Sequence, residues 1–149
     1  MRNGKRYFHL LLLVGVFSIA PATAATGPAA DPEAVVQAQL DAYNARDIDA
    51  FVATYTNDAE LFEHPAKLLA AGSAQLRERY GARFKDPILH AAIVKRIVMG
   101  NVVVDHEKVT RTFPEGRGLA DAIAIYQVEN GKIAKAWLIL GARVLDTKQ

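Results

Sequence analysis

Residues 88–140, ILHAAIVKRIVMGNVVVDHEKVTRTFPEGRGLADAIAIYQVENGKIAKAWLIL, form a stretch rich in Ile and Val that is broken at Gly100-Asn101 and Asn130-Gly131. Both pairs suit two-residue hairpin turns, because Gly and Asn tolerate the left-handed backbone such turns require. The breaks predict strands over 89–99, 102–112, 118–128 and 132–140. Neighbouring strands joined by such turns must run antiparallel.

Towards the N-terminus the pattern changes to helices. Asp31-Pro32-Glu33 is a helix start, with a capping oxygen, a proline at the first helical position and an acid facing the dipole. That helix is expected to run to about Ala45, with Val36, Gln39, Leu40 and Tyr43 on its inward face. Asp47 caps a second helix that carries Ile48, Phe51, Val52 and Tyr55 inward and ends near Thr56 and Asn57. A short strand from Ala59 to Glu63 stops at Pro65. A third helix, capped by Ser73, places Leu76, Tyr80 and Phe84 on one stripe before Asp86-Pro87 ends it. Helices first and hairpin-linked strands afterwards define an α+β domain, expected over 31–142. Its three N-terminal helices pack in a curved antiparallel sheet and enclose an apolar pocket.

The chain has 149 residues, no Cys, 18 Lys plus Arg against 16 Asp plus Glu, and 51% apolar residues. The absence of Cys excludes disulfides, a thiol nucleophile and thiolate-held metals. A net charge of +2 is too small for a nucleic-acid footprint. Its positive part is concentrated at the start, where Arg2, Lys5 and Arg6 precede an apolar run from Leu10 to Ala20 and the small residues 21–25. This is the layout of a secretory signal peptide over 1–24, followed by a linker at 25–30. Eleven or so apolar residues are too few to span a bilayer as a helix, so the expected location is periplasmic or secreted, without stable membrane insertion. Downstream of the signal the only serine is Ser73, which leaves no nucleophile for serine hydrolysis. His64, His90 and His106 lack metal-ligand spacing.

Four segments carry a family likeness: Ala42-Tyr43-Asn44-Ala45-Arg46-Asp47-Ile48-Asp49-Ala50-Phe51, Asn57-Asp58-Ala59-Glu60, Val104-Asp105-His106-Glu107, and Ile125-Tyr126 leading to Asn130-Gly131-Lys132-Ile133. Together, over about residues 31–140, they resemble the SnoaL-like branch of the nuclear-transport-factor-2-like superfamily, which includes polyketide cyclases and ketosteroid isomerases. The resemblance implies a cone-shaped fold, a homodimer, and a small-molecule cavity that works without metal or organic cofactor. In ketosteroid isomerases an Asp base ends the first strand before a Pro, while a Tyr on the first helix and an Asp on a later strand hold the enolate oxygen. The positions that align here are His64, Gln39 and Ala124. All three differ, so the steroid isomerase mechanism is not implied.

His64 is accordingly the expected proton-transfer residue, an imidazole able to serve as acid or base near neutral pH. The competing reading is an exposed strand end between Glu63 and Pro65. Asp105 and His106 are successive strand residues, so only one faces the cavity. Asp105 either orients His64 or, with Glu107, pairs with Arg or Lys on a neighbouring strand. Gln39 and Tyr43 are expected to reach a ligand from the first helix, joined by His106, Ala124 and Trp137. Trp137 also reads as core or dimer-interface filling, with Ile139 and Val128 extending that face. Ala120, Ala122 and Ala124 share one strand face, where small side chains leave cavity volume or let a helix approach. The expected ligand is a small apolar molecule. Cofactor-free isomerisation, cyclisation or hydration, noncatalytic binding, and a protein-interaction role for the sheet face all remain open at this level.

Overall fold

A computed structural model describes residues 30–146, which form one six-stranded sheet and three helices in the order α1 (Pro32–Ala45), α2 (Ile48–Ala53), β1 (Tyr55–Glu63), β2 (Lys67–Ala71), α3 (Gly72–Arg83), β3 (His90–Met99), β4 (Val102–Phe113), β5 (Gly116–Glu129) and β6 (Lys132–Leu145). The segment read as an export signal, and all but the last residue of the linker after it, lie outside the described residues. Among the described residues no helix is long and apolar enough to cross a membrane.

The strand order is β2-β1-β6-β5-β4-β3. All neighbouring pairs are antiparallel except β1 and β6, which run parallel. The connection from β1 to β6 passes through α3 and the whole β3–β5 meander, so no tight turn dictates an antiparallel return. Long hairpins drive the remainder: β4 and β5 pair continuously from Val102↔Gln127 to Phe113↔Gly116. The turn residues Gly100, Asn130 and Gly131 adopt positive φ, as the two-residue turns require.

α1 is held where it meets the sheet. The Asn44 side chain both donates to the Ala91 carbonyl (2.9 Å) and accepts from the Ala91 amide (2.8 Å), and Arg46 donates to the Leu89 carbonyl at 3.2 Å. α2 is shorter than its apolar pattern predicts, because Tyr55–Asn57 belong to β1 and Tyr55 serves the core from a strand. Asp47 caps α2 by accepting from the Asp49 and Ala50 amides. α3 begins at Gly72 rather than after a Ser73 cap, and the Gln75 side chain accepts from the Ala71 amide instead. β2 was not expected from the sequence, and β6 runs through Leu145, beyond the expected strand end at 140 and domain end at 142.

The core lies between the helices and the inner sheet face. Its centre is Phe51, fully buried, with ring centroids of Tyr80, Tyr55, Phe84 and Tyr43 at 4.4, 5.2, 5.4 and 6.2 Å. Tilted and edge-on aromatic contacts of this kind add to the stabilisation from burial alone. Val128 sits in this core, not on the outer sheet face that the sequence reading gave it. Trp137 does face outward, half-buried and stacked on Phe62 at 5.9 Å.

Candidate functional site

Along β4, odd-numbered residues face the helices and even-numbered ones face away, as strand alternation demands. The inner stripe is Val103, Asp105, Glu107, Val109, Arg111 and Phe113, of which Asp105 and Glu107 are buried acids. On β5 the matching stripe contains Ala120, Ala122, Ala124, Tyr126 and Val128. Between these strands, β6 and α1 lies a cavity of about 280 Å³. Ala120 and Ala122 line it without filling it, and Leu40, Val109, Phe113, Leu138 and Leu140 supply apolar walls. Its inner end is polar, formed by Gln39, Glu107 and Tyr126. Arg83, Arg111 and Arg143 stand at the more exposed end.

The two buried acids differ sharply in their partners. Asp105 is engaged by Arg96 from β3 through a two-pronged pair, Nε to Oδ1 and Nη2 to Oδ2, both at 2.7 Å. The third nitrogen of Arg96 donates to Gln37 at 2.9 Å. Of the two readings the sequence left for Asp105, pairing with an arginine on the neighbouring strand is the one the structure shows. Glu107, 9% exposed, has no such ion pair among the described residues. Its hydrogen-bond partner is the Tyr126 hydroxyl, which donates to Oε1 at 3.5 Å. Burial, reinforced by the negative charge of Asp105, pushes its carboxyl up to about 7. Burial also raises Tyr43 to about 12 and Tyr126 well above the usual phenol value, so both hydroxyls stay protonated donors near neutral pH.

The sequence-predicted residues separate into two groups. Gln39 and Tyr43 line the cavity. Gln39 donates to the Tyr55 hydroxyl at 3.1 Å, which answers the demand of a buried amide for a partner. His64 is corrected: it is exposed in the turn after β1, its backbone amide bonded to the Leu138 carbonyl, and it does not line the cavity. Asp105 therefore does not orient it. His106 faces the outer side of the sheet, 3.2 Å from Asp121. Ala124 is fully buried in the core rather than at the cavity wall, and Trp137 points away from the cavity. Glu107, Tyr126, Tyr80 and the three arginines went unrecognised as cavity residues, although the parity that separates Asp105 from His106 also turns Glu107 inward.

A curved sheet closed by three helices around a side-chain-lined cavity is the cone fold of nuclear-transport-factor-2-like proteins. The chain belongs to the SnoaL-like domain family, whose sequence profile matches residues 36–136. No curated protein matches it. Among solved structures, it resembles an uncharacterised cystatin-fold protein from Novosphingobium aromaticivorans, 27% identical, covering 73% of this chain and 97% of that one with a TM-score of 0.68. SalBIII, an epoxide hydrolase/cyclase-like enzyme of pyran ring formation in the polyether salinomycin, is 19% identical over 74% of this chain and 90% of its own, with a TM-score of 0.67. A putative polyketide cyclase from Sinorhizobium meliloti is 22% identical over 70% and 93%, with a TM-score of 0.59. At these identities the last two show a shared fold.

Proposed function

We propose that the chain binds a small, largely apolar molecule in this cavity and transfers a proton to or from it through Glu107, without a metal or organic cofactor. The supporting observation is one buried carboxyl, inward on the cavity face of β4, without an ion-pair partner among the described residues and with its affinity for a proton raised to about 7 by burial. A group with that affinity is populated in both protonation states at neutral pH, the condition under which a carboxyl is most useful as a general acid or base. Tyr43, from α1, is a protonated donor lining the same cavity, suited to holding a developing oxyanion, while Tyr126 donates to Glu107 itself. The fold relatives named as cyclases or cyclase-like enzymes are consistent with such chemistry.

The test uses 5-nitrobenzisoxazole, a small neutral aromatic whose ring C–H proton is taken by a carboxylate as its N–O bond opens to a cyanophenolate. The expected rate rises with pH through about 7, following ionisation of Glu107. Glu107→Gln is expected to lower it on the order of a hundredfold or more, the usual contribution of a positioned base. Ala122→Leu, which fills the cavity wall, is expected to abolish it with the fold retained. A rate indifferent to both variants refutes the assignment. Binding of the probe without proton removal favours the noncatalytic reading, which the loss of the isomerase residues at positions 39, 64 and 124 also supports.

We further propose that two copies pair through the outer sheet face, where Phe62, Trp137, Ile139 and Ile97 leave apolar surface half-buried or exposed. Sedimentation at micromolar concentration is expected to give the dimer mass. A monomer mass refutes it.

A further inference from the structure

We propose that the arginines at the cavity's exposed end bind an anionic group, so that the ligand is an apolar molecule bearing a carboxylate with its ring system directed towards Glu107. This deepens, and rests on, the small-molecule reading of the same cavity. Arg83 comes from the last turn of α3, Arg111 from the inner stripe of β4 and Arg143 from β6, and all three line one cavity. Three like charges from three separate elements are not a by-product of one amphipathic pattern.

Their existing partners leave the charge largely unanswered. Among the described residues, neither Arg83 nor Arg111 has a carboxylate within ion-pair distance, and Arg143 has only a loose contact with Glu115 at 3.9 Å. Asp86, whose charge acts on Arg111, is occupied: its oxygens accept from the Thr112 amide and hydroxyl and from the Ile88 amide. Aromatic faces hold the guanidiniums in place instead. Arg111 and Arg143 lie 5.1 and 5.0 Å from the centre of the Phe113 ring, and Arg83 lies 5.7 Å from that of Tyr80. The Nε atom of Arg111 is buried without a hydrogen-bond partner. Burial and the charges of Arg83 and Arg143 both weaken Arg111's hold on its proton, an unfavourable arrangement that a bound anion relieves. Planar guanidiniums bind carboxylates through paired hydrogen bonds, so a carboxylate matches both the charge and the geometry.

The spacing places limits on the ligand. Arg111 and Glu107 are four residues apart on one strand face, roughly 13 Å between their α-carbons at about 3.3 Å per residue. A ligand that reaches from one to the other must be elongated, as two fused rings bearing a carboxylate are. The walls between them are Val109, Leu138, Leu140 and the open ground over Ala120 and Ala122.

The experiment compares 2-naphthoate with the neutral, nearly isosteric 2-naphthamide by fluorescence titration against the whole chain. Naphthoate is expected to bind about tenfold or more tightly than the amide, as a charge-assisted pair allows. Added salt is expected to reduce that margin. Arg83→Gln and Arg111→Gln are each expected to cut the preference severalfold, and the double variant to remove it, with thermal melting confirming that each variant is folded. Equal binding of acid and amide, or a preference unmoved in the folded double variant, overturns the proposal. So does a naphthoate that fails to bind at millimolar concentration. A wild-type chain that deprotonates 5-nitrobenzisoxazole while holding acid and amide equally loses the anion site alone. One that prefers naphthoate through its arginines but leaves the benzisoxazole intact keeps the anion site and loses Glu107 as base.

Discussion

Asp105→Asn is expected to cost roughly 3–5 kcal/mol of folding stability at neutral pH, the range for removing one partner of a buried ion pair. Asp105 is 1% exposed and answers two nitrogens of Arg96, whose side chain is itself only 11% exposed. Loss of the carboxylate strands a mostly buried guanidinium whose one remaining partner is the exposed Gln37 side chain. Replacing both residues by leucine removes the stranded charge together with its partner, so the double variant is expected to be more stable than Asp105→Asn. Denaturant unfolding of Asp105→Leu, Arg96→Leu and the double closes the cycle. Single-variant costs below about 1 kcal/mol, or strictly additive ones, would mean that water reaches the pair.

A second large effect is expected to depend on pH. Glu107 holds its proton to about 7 in the folded chain, against 4.5 as its ordinary value. The neutral form is therefore favoured by folding. Its contribution is complete below about 4.5 and disappears as pH rises through about 7, where a bare carboxylate must be kept in the core. Glu107→Gln fixes the neutral shape, and relative to the parent it is expected to gain stability as pH rises, reaching roughly 3 kcal/mol above pH 7 with little difference near pH 4.5. The surrounding groups fix the sign. Asp105 on the same strand opposes ionisation, while Tyr126 on β5 and Arg96 on β3 oppose that shift only in part. The cavity arginines on α3, β4 and β6 stand at the other end. Chemical denaturation of both proteins from pH 4.5 to 8 provides the measurement, and a constant gap between them sinks the pKa assignment. The substitution that removes the proposed catalyst is thus expected to stabilise the protein, as a strained functional group predicts.

How much of this was legible in the sequence depended on how local the cause was. The α1 start, the α2 cap and the hairpins at Gly100-Asn101 and Asn130-Gly131 were readable because caps and turns are decided by a few adjacent residues. Tyr55 was misassigned to α2 because its spacing from Phe51 satisfies a helix, although the chain has already become β1. β2 offered only five residues between a proline and a helix. The site suffered more. Position 64 was chosen by alignment to a strand end, but strand-end equivalence does not say where a side chain points, and the structure turns that turn to solvent. By contrast, parity along β4 correctly allowed only one of Asp105 and His106 inside. Carried two residues further, the same rule reaches Glu107, and six further reaches Arg111. What no local rule supplies is convergence: Arg83, Arg111 and Arg143 are brought to one opening by the sheet's curvature and by α3 crossing it.

The pair Ala120 and Ala122 has a consequence for how such a protein changes over generations. The backbone at these positions is committed to β4 on one side and β6 on the other, while their small side chains lie outside the main core cluster. On the proposed small-molecule reading, ligand size is thus set at two positions whose enlargement consumes cavity space. On that reading, a descendant that exchanges Ala120 for valine or leucine shortens the molecule it accepts and leaves the Asp105–Arg96 pair and the aromatic cluster untouched, whereas a larger residue at 122 meets Glu107, its cross-strand partner. Under the same proposal, selection on ligand length at position 120 acts apart from selection on folding, and a lineage can explore new ligands without first acquiring stability to spare.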